Sequence, residues 1–199
     1  VAPKEKVTLN SGKQAAEGET LNYKWYDLTN DPGQSVEISD AADKPSYTLT
    51  ADHNKKICCE VTKDGQVVFT KEFIVTVDTG LEIESNEYDD CDDYCELEMN
   101  ESTVLQPYVT VAEGIGLHYQ WYKKNAGEEY TLIDGADKEE YTIVADLNTA
   151  DYYRLVVTDD YGNKKDWVCK VMVQTLKFDG GDEDYVVLKP ETGTVLQVM

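Results

Sequence analysis

The stretch Tyr23-Lys24-Trp25-Tyr26 returns as Tyr119-Gln120-Trp121-Tyr122, 96 residues further along the chain. In an extended segment successive side chains point to opposite faces, so Leu21, Tyr23 and Trp25 share one face and Asn22 and Lys24 the other. Leu117, Tyr119 and Trp121 repeat the pattern against His118 and Gln120. Each tryptophan is expected on the buried side of a half-exposed strand.

The repeat extends outward in both directions. Upstream, Leu9 lies over Leu105 and Ala16-Glu17-Gly18 over Ala112-Glu113-Gly114, which reads as a strand and a glycine turn feeding the tryptophan strand. Downstream, the polar loop Thr29-Asn30-Asp31-Pro32-Gly33 corresponds to Lys123-Lys124-Asn125-Ala126-Gly127. Pro45-Ser46-Tyr47-Thr48-Leu49 matches Glu139-Glu140-Tyr141-Thr142-Ile143 at a spacing of 94, which puts a two-residue deletion in the loop before it. The 96-residue register then returns, with Ile57-Cys58-Cys59-Glu60-Val61-Thr62 over Tyr153-Arg154-Leu155-Val156-Val157-Thr158. Lys63-Asp64-Gly65 and Asp159-Asp160-Tyr161-Gly162 are hairpin-turn signals. The strands that follow alternate cleanly, through Phe73, Val75 and Val77 and through Cys169, Val171 and Val173. No stretch longer than about one turn has helical spacing, and strands recur every 8 to 12 residues or so with turns between them.

The whole chain has 199 residues, with 40 Asp and Glu against 18 Lys and Arg, for a formal net charge of -22. Such a charge repels nucleic-acid backbones and anionic membranes, and no apolar run is long enough for a spanning helix. The chain opens on Val1 without methionine and is read as a piece of something longer. Its five cysteines are an odd number and form no dense disulfide framework, so they do not assign a compartment.

These residues resemble immunoglobulin-like domains, specifically the tandem Ig-like modules of bacterial cell-surface proteins. The resemblance rests on the Tyr-x-Trp-Tyr stretches, on Tyr47-Thr48-Leu49 and Tyr141-Thr142-Ile143, and on Asp151-Tyr152-Tyr153-Arg154-Leu155-Val156-Val157-Thr158. It implies two tandem antiparallel β-sandwiches, at residues 1–79 and 80–175. Residues 176–199 are either the opening strands of a third unit or strands added to the second. Trp25 and Trp121 fill the cores, and Tyr153 takes the tyrosine-corner position, two residues before the site of the second cysteine in antibody-type domains. That site is Leu155 here and Cys59 in the first unit, with no cysteine ahead of Trp25 to pair with it. The inter-sheet disulfide is expected to be absent from both units.

Residues 78–101 hold 11 Asp or Glu and no Lys or Arg, and read as an acidic junction. Clustered hard oxygen donors suit Ca²⁺, with Asp89, Asp90, Asp92 and Asp93 as the candidate ligands; a solvated linker is the competing reading, since no EF-hand spacing is present. Cys91 and Cys95 either close a small disulfide loop or stay thiols, while Cys59 and Cys169 are expected as buried, inert thiols. The only histidines, His53 and His118, lie far from those cysteines, which disfavours zinc. No nucleophile–base grouping or phosphate loop is present, so no catalytic residue is assigned and no cofactor is required. Tyr26, Tyr122, Tyr130 and Tyr161 are the tyrosines expected on outward faces or loops, where an aromatic patch would sit. Lys189-Pro190-Glu191-Thr192-Gly193 is similar to a relaxed wall-anchoring signal, but reads better as a turn because Asp184-Tyr185 and Thr194-Val195-Leu196-Gln197 follow Asp93-Tyr94 and Thr103-Val104-Leu105-Gln106.

The resemblance implies a non-enzymatic, extracellular module of a bacterial surface protein, serving as an adhesion or presentation stalk. Its implied partners are neighbouring Ig-like repeats and a host protein or glycan. The alternative is a carbohydrate-binding accessory domain of a secreted hydrolase, which would carry an exposed aromatic row across one sheet.

Overall fold

The structure, a computed structural model, describes residues 1–30, 35–84 and 94–174. Among the described residues the chain is all-β, with a single 3₁₀ turn at Ser39–Ala41, and forms Ig-like sandwiches. It gathers into two compact units. Unit 1 comprises Val1–Leu81 with the short segments Val111–Gly116 and Asp159–Asn163; unit 2 comprises the rest of the described residues.

In unit 1 one layer is the pair β1 (Lys6–Asn10) and β4 (Ser46–Thr50). The other is a four-stranded antiparallel sheet, β3 (Val36–Glu37), β2 (Asn22–Asp27), β5 (Lys55–Lys63) and β6 (Gln66–Val75), in that spatial order. The period-two reading of β2 holds: Tyr23 and Trp25 are buried, while Asn22 and Lys24 are exposed. Leu9, Leu49, Ile57, Cys59, Val61 and Val75 close the core around Trp25. The ring of Trp25 stacks on Phe73 at 5.7 Å and tilts against Tyr47 at 5.8 Å. At the β5–β6 turn, Asp64 and Gly65 both have positive φ, 52° and 78°, as a two-residue hairpin turn twisted with its strands requires.

Unit 2 carries β9 (Ser102–Leu105) paired with β13 (Tyr141–Val144), and β7 (Glu82–Glu84) paired with β10 (Tyr108–Thr110). Its large sheet runs β12 (Thr131–Leu132), β11 (Leu117–Lys124), β14 (Tyr152–Asp159), β15 (Lys164–Gln174) and β8 (Tyr94–Glu98). Trp121 is fully buried and packs on Tyr141 at 5.7 Å and edge-on to Trp167 at 6.1 Å. Tyr153 is 5% exposed, and its ring tilts against that of Tyr141 at 5.8 Å.

The stretch 78–101 differs from its reading as an acidic junction alone. β7 and β8 are sheet strands, and on β8 Cys95 and Leu97 are 5% and 3% exposed while Glu96 and Glu98 face water. β8 pairs in parallel with β15. The abundant carboxylates masked a two-residue alternation only five residues long, too short to stand out before its partner strand is known.

Candidate functional site

On β11 and β14 Trp121, Tyr153, Leu155 and Val157 share one buried face, so Tyr122, Lys124, Tyr152 and Arg154 project from the opposite face of the large sheet of unit 2, beside the buried Val156. There they form a cluster with Tyr130. The Lys124 ammonium lies 4.6 Å from the centre of the Tyr130 ring and 5.4 Å from that of Tyr152, and the Arg154 guanidinium lies 5.6 Å from Tyr130. Arg154 Nε also donates to Asp166 Oδ2 at 3.0 Å. Burial pushes the Tyr130 hydroxyl above its ordinary range, with Arg154 pulling the other way. These rings spend their faces on the chain's own cations.

The tyrosines expected on outward faces or loops stand there, more covered than an open aromatic patch requires. Tyr26, Tyr122, Tyr130 and Tyr161 are all half-buried, Tyr161 with its ring 6.4 Å from that of His53. The broadly exposed tyrosine among the described residues is Tyr108, at 61%. No row of bare aromatic faces crosses a sheet there, because lysine and arginine stems fold over the rings and remove apolar surface from water.

Sequence reasoning passed over Asp159. It is 3% exposed and sits within unit 1, where its carboxylate collects four donors. Thr79 Oγ1 donates to Oδ2 at 2.6 Å and Asn163 Nδ2 at 2.9 Å; the backbone N–H groups of Tyr161 and Asn163 donate to Oδ1, both at 2.9 Å. Asn163 Nδ2 reaches Val77 O as well, at 2.9 Å, and its Oδ1 accepts from Asn54 at 3.0 Å. Burial alone would raise the Asp159 carboxyl; the bonds from Thr79, Asn163 and Tyr161 outweigh it and hold it below the ordinary range. With its lone pairs engaged, Asp159 is a structural anion rather than a base aimed at a substrate. The signal was present as an Asp with an Asn four positions on, either side of a turn, a spacing that lets an Asx side chain cap the turn.

The candidate calcium ligands Asp89, Asp90, Asp92 and Asp93, and Cys91, lie outside the described residues, as does 176–199. Among the described residues no group of three or more His, Cys, Asp or Glu is arranged to hold a metal ion. A shallow depression of about 550 Å³ is lined by Glu96, Glu98, Met99, Asn100, Glu101 and Gln174. It gathers carboxylates without a nucleophile or a histidine. Cys59 is a free thiol, fully buried, and burial pushes it up to about 11; its neighbour Cys58 is also buried, at 8%, and is pushed up for the same reason. A thiol held protonated in this way is a poor nucleophile.

No protein-family model matches this chain, and no curated protein matches it either. Among solved structures it is similar to one described as the structural basis for Dscam isoform specificity, at 14% identity and a TM-score of 0.41, over 87% of this chain and 42% of that one. It is also similar to titin Ig tandem domains A164-A165, at 13% identity and a TM-score of 0.33, over 87% of this chain and 90% of that one. The chain spans less than half the length of the Dscam structures it matches. Likenesses this distant leave function to the residues of this chain.

Proposed function

We propose that the chain is a non-catalytic Ig-like module that extends or presents an adhesive region on a bacterial cell surface, with a host protein or glycan as the ultimate partner. The observation that carries this reading is the duplicated core. Each tryptophan is fully buried and its indole N–H donates to a backbone carbonyl, Trp25 to Lys44 O at 3.0 Å and Trp121 to Lys138 O at 2.8 Å. Such a core invests its specific chemistry in rigidity. The cation-covered tyrosines argue against the carbohydrate-binding alternative.

The test fuses a known adhesive reporter to the C-terminus of the chain, anchors the N-terminus on beads, and measures capture under flow. Capture exceeding that of a flexible Gly/Ser linker with the same number of residues supports the stalk. Equal capture sinks it. A panel of glycans and matrix proteins, run on the chain alone, tests direct binding.

A further inference from the structure

The two repeats treat the outer face of their large sheets differently. In unit 1 the cations there sit on carboxylates, Lys24 on Glu37 at 3.6 Å and Lys56 on Glu72 at 3.0 Å. Glu60 adds a third carboxylate opposite Lys24. In unit 2, 96 residues on, Glu60 and Glu72 become Val156 and Val168, Cys58 becomes Arg154 and Ile74 becomes Lys170. Cross-strand pairing sets Arg154 opposite Val168 and Tyr152 opposite Lys170, on the face that also carries Lys124. Asp166 is the one carboxylate that β11, β14 and β15 turn to that side, and Arg154 donates to it. Among the described residues Lys124 and Lys170 form no ion pair, and Lys124 rests on the rings of Tyr130 and Tyr152 instead. Leu132, opposite Tyr122, and Met172 add exposed apolar side chains to the same face. Glu96 and Glu98 stand at its far edge, on β8, where Glu96 accepts from Gln174.

We propose that the outer face of β11, β14 and β15 is a docking surface for an acidic segment of another protein. The carboxylates of that segment meet Lys124, Arg154 and Lys170, and its apolar side chains meet Leu132, Val168 and Met172. Charge complementarity selects the occupant. In a chain of charge -22, three cations gather here against one carboxylate, and Lys124 and Arg154 converge on the single ring of Tyr130. Two like charges held that close raise each other's energy, and an anion set between them relieves it. The rings hold both cationic side chains in place before the partner arrives, so less rotamer freedom is lost on docking. A neutral sugar finds no open ring face to stack on. A sulfated polysaccharide would engage the cations and leave Leu132, Val168 and Met172 in water, whereas an acidic polypeptide covers both kinds of surface. Tyrosine and arginine are also among the side chains that carry most of the binding energy at protein interfaces. The proposal goes beyond the stalk reading and does not rest on it, because docking needs this face and nothing joined to the ends of the chain.

The test titrates the full chain with a short synthetic peptide of glutamate, leucine and phenylalanine and follows backbone amide resonances. Shifts at residues 120–124, 152–156 and 166–172 are expected, with affinity falling severalfold as salt rises from about 0.05 M to about 0.5 M. Lys124→Glu and Lys170→Glu, both on the outer face, must each weaken binding about fivefold or more in a chain that still shows its thermal transition. Leu132→Ser must weaken it too, while Lys123→Glu, on the opposite side of β11, must leave it as it was. An absence of shifts on these strands overturns the proposal, as does equal binding by a peptide with lysine in place of glutamate. So do charge-reversed variants that bind like the parent, and a sulfated hexasaccharide that binds as tightly as the peptide. Self-association of the chain in sedimentation that Lys124→Glu abolishes would make a second copy the occupant and overturn it as well.

Discussion

At Trp25 and Trp121 a single side chain fills the space between two layers and satisfies its one donor on a backbone carbonyl. Trp25→Ala or Trp121→Ala removes that volume and is expected to cost about 3–5 kcal/mol in the unit that holds it, measured by urea unfolding with hydrogen exchange to locate the loss. Protection lost equally from β2 and β11 in either variant would contradict separate cores. Asp159 gives a pH prediction. Its folded pKa is depressed, so the stability it contributes is present above the unfolded carboxylate pKa, about 3.9, and disappears as pH falls through the folded value. Asp159→Asn should therefore cost about 1.5–3 kcal/mol at neutral pH, with the gap to the parent closing below about pH 4. A gap that stays constant down to acid pH would show that the charge is irrelevant. Cys58 and Cys59 are expected to resist thiol reagents at mildly alkaline pH until the protein is unfolded.

Among the elements, β8 was the hardest to foresee. Its side chains alternate as any half-buried strand does, but it is surrounded by carboxylates that read as a solvated linker, and its partner β15 lies more than 70 residues away in sequence. Leu97→Ala should destabilise unit 2 by about 2–4 kcal/mol, since the residue is 3% exposed; near-neutral denaturation curves would return the segment to its linker reading. The β5–β6 hairpin was legible in advance because its turn is local: Asp64-Gly65 supplies two residues that tolerate positive φ. Gly65→Val forces a β-branched residue to φ near 78° and should cost about 1–2 kcal/mol in a chemical melt.

For the whole molecule the dominant physical fact is charge. With 40 acidic and 18 basic side chains, self-repulsion weakens the folded state at low ionic strength, and the thermal midpoint should rise as salt is added up to about 0.15 M. A midpoint that falls with salt would mean that the surface ion pairs, such as Lys55 with Asp52 and Lys165 with Glu82, outweigh the net repulsion. Exposed pairs of this kind contribute about 0–1 kcal/mol each, so the net repulsion is expected to win.

The sequence by itself determined the repeat, the all-β class and the inward faces of the strands, because a period of two and local turn chemistry are written in neighbouring residues. It marked Trp25, Trp121 and Tyr153 as core positions for the same reason, and the 94-residue offset at β4 and β13 reappears in the indole bonds to Lys44 and Lys138. Tertiary structure alone decided the parallel seat of β8 on β15, the Thr79 hydroxyl that reaches Asp159 and the Arg154 cation laid over Tyr130. Each of these joins residues far apart in the chain, and no local period records which distant strand, turn or side chain a residue meets once the backbone has closed.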